Sequence, residues 1–171
     1  FLVDEGAGGF LATRLGLPCA PARPLAVAGA GPISNYAAGI ALSTDGTRRV
    51  SGEVSVTSGA ALAKEGLASQ IDAKLQGDIS ALFLPEYRDF FGPAARLSVT
   101  ARRSTTGALA LSDLTFTGAA VELTGAARLL PSGLPETADL GLKIATEGEG
   151  DILLPLNGAK TWVRSANLHL R

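Results

Sequence analysis

An all-β fold, built as a long antiparallel meander with one short helical interruption, is predicted by three features of the sequence. After residue 24, apolar and polar residues alternate with period two, as in strands with one face toward oil and one toward water. Turn signals separate each alternating run from the next. Small residues recur at apolar positions (Ala73, Gly77, Ala101, Gly125, Ala127) and only six Phe, two Tyr and one Trp are available. A close-packed two-sheet core would therefore be short of bulk.

Residues 1–23 differ from the rest, with glycines at 6, 8 and 9 and prolines at 18 and 21. They read as a short helix over 10–15 and an extended proline-rich linker, or as the end of a preceding module. Residues 24–171 form the β-module. Its first clear hairpin places Tyr36, Ala38, Ile40 and Leu42 beside Val50, Gly52, Val54 and Val56, joined at Asp45-Gly46. In residues 70–79, Ile71, Ala73, Leu75, Gly77 and Ile79 share one face, and Gln70, Asp72, Lys74, Gln76 and Asp78 the other. No helical period fits that pattern.

Residues 80–92 break the alternation and gather Phe83, Tyr87, Phe90 and Phe91. They predict a short helical segment over 80–91, capped by Asp78 and divided by Pro85. It serves either as a hydrophobic plug at one end of the sheet or as a membrane-facing gate. Alternation resumes with Leu97 and Val99, then Val121 and Leu123, then Leu140, Leu142 and Ile144. Two runs shift face partway: Leu109, Leu111, then Leu114, Phe116; and Thr161, Val163, then Ala166, Leu168, Leu170. Each predicts a bulged strand, and aligning 110–116 on 162–168 suggests a degenerate repeat of about 52 residues.

Composition excludes several functions. Fifteen Lys and Arg against sixteen Asp and Glu leave no basic excess for nucleic acid. One Cys (Cys19) and one His (His169) supply neither a disulfide framework nor a zinc site. No apolar run approaches the ~20 residues of a membrane-crossing helix. His169 is the only candidate base near neutral pH, and with no nucleophile motif beside it a solvent-facing role is expected. Glu86 and Asp89 flank Arg88, and a surface ion pair with Arg88 is expected. Glu147, Glu149 and Asp151 resemble a calcium loop but lack its terminal bidentate Glu. No glycine motif opens a nucleotide site. No catalytic residue, cofactor or metal is expected.

What remains is the apolar face itself. The expected lining is Val54 and Val56, Ile71 and Leu75, Leu97 and Val99, Leu109, Leu111, Leu114 and Phe116, Val121 and Leu123, and Leu140 and Leu142. A sheet cannot leave so much apolar surface to water without a reason. Either a second sheet covers it, in a structural or assembly repeat with a closed dry core, or it forms a groove for an apolar ligand.

Four passages bear a family resemblance. Residues 24–42 (PLAVAGAGPISNYAAGIAL), 79–93 (ISALFLPEYRDFFGP), 107–125 (GALALSDLTFTGAAVELTG) and 153–158 (LLPLNG) follow one another in the order typical of the TamB family of the AsmA-like superfamily, and residues 18–171 as a whole resemble its alphaproteobacterial members. The resemblance implies an internal fragment of a long, inner-membrane-anchored periplasmic protein whose strands curl into an open, taco-like apolar groove. It also implies movement of phospholipids between inner and outer membranes, support of outer-membrane assembly, and neighbouring β-modules of the same chain. A TamA-like outer-membrane barrel would be contacted through regions outside this fragment. The family offers no catalytic residues to carry over.

Overall fold

The structure, a computed structural model, describes residues 2–5, 23–30, 32, 34–44, 46–146, 150–156 and 158–171. The helix expected over 10–15, most of the linker, Cys19, Asp45 and the acidic residues Glu147 and Glu149 lie outside the described residues.

The strands in chain order are β1 (Leu2–Glu5), β2 (Arg23–Ala30), β3 (Asn35–Thr44), β4 (Thr47–Ser58), β5 (Leu67–Gly77), β6 (Ala95–Ser104), β7 (Leu109–Thr117), β8 (Val121–Leu129), β9 (Pro135–Ala145), β10 (Ile152–Leu153), β11 (Trp162–Val163) and β12 (Ser165–Leu170). Ten of them form one antiparallel sheet in the order β1 to β9 and then β12, so the chain meanders and the sheet does not close into a barrel. β10 and β11 form a separate two-stranded sheet. Tight turns explain the meander: Gly46, Gly107 and Gly133 have φ of 73°, 93° and 85°, conformations that L side chains resist, and they sit where β3–β4, β6–β7 and β8–β9 reverse.

The face shift read at Ser112 and Asp113 is a bulge. Pairing of β7 slips between Leu111 and Leu114, and Asp113 takes φ 52°. The second expected bulge is corrected. Trp162 and Val163 pair with Leu153 and Ile152, while Ser165 onward pairs with β9, so at Arg164 the chain changes sheets rather than bulging within one strand. The proposed repeat loses its structural basis there, because residues 110–116 belong to one strand and 162–168 to two.

A second helical element also departs from expectation. α1 (Ala60–Lys64) connects β4 to β5. Its alanines and leucine are strong helix formers, and Gly59 (φ 129°) and Gly66 (φ 76°) admit the bends at either end. The aromatic segment folds as two 3₁₀ turns, Ile79–Leu82 and Pro85–Tyr87, followed by the single turn α2 (Arg88–Phe91). Asp78 does not cap it through its side chain. Its carboxylate instead accepts from Arg49 Nη1 at 3.2 Å and from the buried Ser80 hydroxyl, anchoring the segment to β4.

The tightly packed core lies at this end of the sheet. Phe90, Phe91, Ala120, Val121, Ile144 and Ile152 are all buried, with Phe83, Tyr87, Phe116, Leu142 and Val163 packed around them. Phe91 stacks on Phe83 at 4.3 Å between centroids and meets Phe90 and Phe116 edge-on at 5.0 and 6.5 Å. The amides of Ala119 and Ala120, in the β7–β8 turn, donate to the carbonyls of Phe91 and Phe90 at 3.0 and 3.1 Å. The aromatic segment is thus a plug over one end of the apolar face.

Candidate functional site: an uncovered apolar face

Directly paired residues of antiparallel strands share a face, so the register maps the site. One row runs Gly52, Leu75, Leu97, Phe116, Leu123, Leu142 and Leu168 across seven strands. Another runs Val56, Ile71, Ala101, Leu111, Ala127 and Ala138. Val54 pairs with Ala73 and Ala73 with Val99, while Leu114 and Leu140 flank Gly125 beyond the bulge. Leu109 lies at the far margin, and Val121 lies under the plug. All fourteen expected lining residues therefore stand on one face. Of these, only Val121 is buried; the other thirteen are half-buried.

Half-burial identifies a single layer. A closed sandwich would remove such side chains from water and gain roughly 1.5–3 kcal/mol for each. Among the described residues the only other sheet is β10–β11, two residues per strand, and it sits at the plug. The last strand extends the face with Leu168 and Leu170, each more than half exposed. Parity in the sequence already put Ile144, Ala166, Leu168 and Leu170 on this face. Ile152 gave no periodic signal, and Val163, which alternates with Thr161 in the sequence, belongs instead to the short β10–β11 sheet at the plug.

Glycines shape the sheet where the face is crowded. At Gly125 (φ 143°) a Cβ would lie 2.0 Å from the Asp139 carbonyl oxygen, and at Gly77 (φ 143°) 1.9 Å from that of Arg49. Both occupy apolar-face positions, and such glycine kinks let strands bend where side chains would collide.

The opposite face is a hydrogen-bonded polar surface. Asp72 accepts from Gln70 Nε2 at 2.9 Å and Thr100 Oγ1 at 2.7 Å, and Arg102 Nε donates to Gln70 at 2.9 Å. The Gln70 and Thr100 bonds, helped by Arg102 and Lys74 and opposed by partial burial, hold the Asp72 carboxyl below its ordinary range. A carboxyl lowered on folding stabilises the fold above its unfolded pKa and loses that contribution as pH falls through the folded value. Hollows of about 320 and 440 Å³ on this side are lined by Glu53, Ser55, Asp72 and Lys74 and by Gln76, Arg96, Ser98 and Thr115. They lie across the sheet from the apolar face.

The remaining candidates resolve as surface chemistry. His169 Nε2 meets Asp139 Oδ1 at 2.8 Å, both exposed. Glu86 pairs with Lys160 rather than Arg88, because the plug brings the loop before β11 against the Pro85–Tyr87 turn. That bond raises the Lys160 ammonium above its ordinary value. Asp151 pairs with Arg164 at 3.3 Å. Among the described residues no three His, Cys, Asp or Glu are grouped to hold a metal, and no helix is long and apolar enough to cross a membrane. No protein-family model, curated protein or solved structure matches the chain.

Proposed function

We propose that this chain is a segment of a periplasm-spanning lipid conduit whose uncovered face shields phospholipid acyl chains between inner and outer membranes and so supports outer-membrane assembly. The observation that carries the proposal is the half-buried apolar face on a sheet that is a single layer among the described residues. Apolar patches beyond a few hundred Å² are rare on soluble surfaces unless something docks there. The strands fit such cargo: β6, ten residues at ~3.3 Å each, is about 33 Å long against a hydrocarbon leaflet of roughly 15 Å.

In this role the sheet binds and releases; it catalyses nothing and needs no cofactor. Uniform, weak contacts along aliphatic rows let a lipid pass from strand to strand without an energy source in this segment. Neighbouring β-modules would continue the wall beyond β1 and β12, the edge strands of the sheet among the described residues. Such a segment belongs to an inner-membrane-anchored periplasmic protein, and a TamA-like outer-membrane barrel would be met through other regions. A closed dry core would require a covering sheet that the described residues do not form.

Native mass spectrometry of the chain purified from membranes tests the proposal. Bound phospholipid is expected, and His169→Ala and Glu86→Gln should retain as much as wild type because neither residue lies on the face. A lipid-free wild-type chain contradicts the conduit, and loss of lipid in the folded His169→Ala variant would contradict binding by the apolar face alone.

A further inference from the structure

The end of the apolar face opposite the plug changes character within one row. Ser58 on β4 pairs with Ser69 on β5, and Ser69 pairs with Arg103 on β6. The next row inward is Val56, Ile71 and Ala101, wholly apolar. Arg103 belongs to the apolar side of the sheet: its neighbour Arg102 bonds Gln70 on the polar face, and Arg103 itself pairs with Leu109. Its guanidinium is exposed and forms no ion pair among the described residues. Two hydroxyls and one guanidinium thus stand on three adjacent strands, with partner Cα atoms about 5 Å apart, at the rim of a greasy surface.

We propose that Ser58, Ser69 and Arg103 hold the phosphate of a phosphodiester lipid whose acyl chains lie along the face toward the aromatic plug. This rests on the lipid-binding role above and adds an orientation to it. The chemistry is complementary: the guanidinium gives a charge-assisted, bidentate bond to phosphate oxygens, and its aliphatic stem can lie on the apolar wall. The dimensions agree. Arg103 lies six steps along β6 from Leu97, whose partner Phe116 meets the plug, and six steps of ~3.3 Å span about 20 Å. That length accommodates a phosphate and a tail of roughly 15 Å, half the ~30 Å hydrocarbon core. Ala73, Ala101 and Ala127 are small side chains on this face between the rim and the plug, where Phe91 meets Phe116.

The test measures binding of dipalmitoyl phosphatidylglycerol and of dipalmitoyl glycerol, which has the same tails and no phosphate, to the whole chain. Arg103→Glu is expected to weaken the phosphatidylglycerol about tenfold or more, as loss of a charge-assisted bond does, and to leave dipalmitoyl glycerol unchanged. Arg103→Lys should retain most of the affinity, and Ser58→Ala with Ser69→Ala should weaken only the phospholipid. Arg96→Glu, the same charge change on the opposite face, should alter neither ligand. Equal phosphatidylglycerol binding by folded Arg103→Glu and wild type overturns the headgroup site while leaving the apolar wall standing. Failure of wild type to bind either lipid removes the lipid-binding role itself, and the headgroup site with it.

Discussion

Gly125→Val should cost roughly 3–5 kcal/mol, combining backbone strain at a conformation closed to β-branched residues with overpacking against a neighbouring strand. The reason is local: φ is 143°, and a Cβ would sit 2.0 Å from the Asp139 carbonyl oxygen and 2.9 Å from Leu140 Cα. Backbone, unlike a flexible side-chain tip, cannot step aside without breaking the β8–β9 pairing. Against a typical domain stability of about 5–15 kcal/mol, the variant loses much of its fold. Gly133→Ala is the control, since its φ is also positive, at 85°, but nothing lies within 4 Å of its Cβ position. Urea titration of both variants checks this. Equal midpoints would show that the β8 kink is not needed for the sheet.

Phe91→Ala should be the most damaging truncation, at about 3–5 kcal/mol for a buried Phe. Phe91 is 7% exposed and joins Phe83, Phe90 and Phe116. Leu111→Ala, away from the plug, should cost clearly less, because a leucine that is only partly buried never left water fully. Thermal melts of the pair separate a molecule with one packed end from one packed throughout. Matching losses would mean that the face is covered.

The strands were legible because period-two alternation is a local property and β3 to β9 each obey it. The bulge at Ser112–Asp113 was legible for the same reason, since one inserted residue reverses the parity of Leu114 and Phe116. At Arg164 the same parity shift had another cause: a change of sheet and a bulge leave identical local patterns, and only the pairing of Val163 with Ile152 distinguishes them. α1 was missed because five residues between two glycines carry too little periodicity to announce a helix. Lys160 as partner of Glu86 lies 74 residues away, beyond any helical spacing. The fourteen lining positions followed from parity, but the Ser58–Ser69–Arg103 row did not. It exists only through register across three strands, and the pairing near Ala68 shifts by a residue.

Leu123→Arg and Thr124→Arg, compared for melting temperature and retained phospholipid, test the open apolar face most directly. Leu123 lies on that face between Phe116 and Leu142, outside the buried cluster, and Thr124 faces the polar side. In an open trough the arginine at 123 keeps its charge near water, so Leu123→Arg should melt close to wild type and lose bound lipid, while Thr124→Arg keeps both. In a closed core the same change buries an unpaired charge at a cost of several kcal/mol. A Leu123→Arg chain that cannot be obtained folded, beside a Thr124→Arg chain that can, would contradict the open face and the conduit built on it.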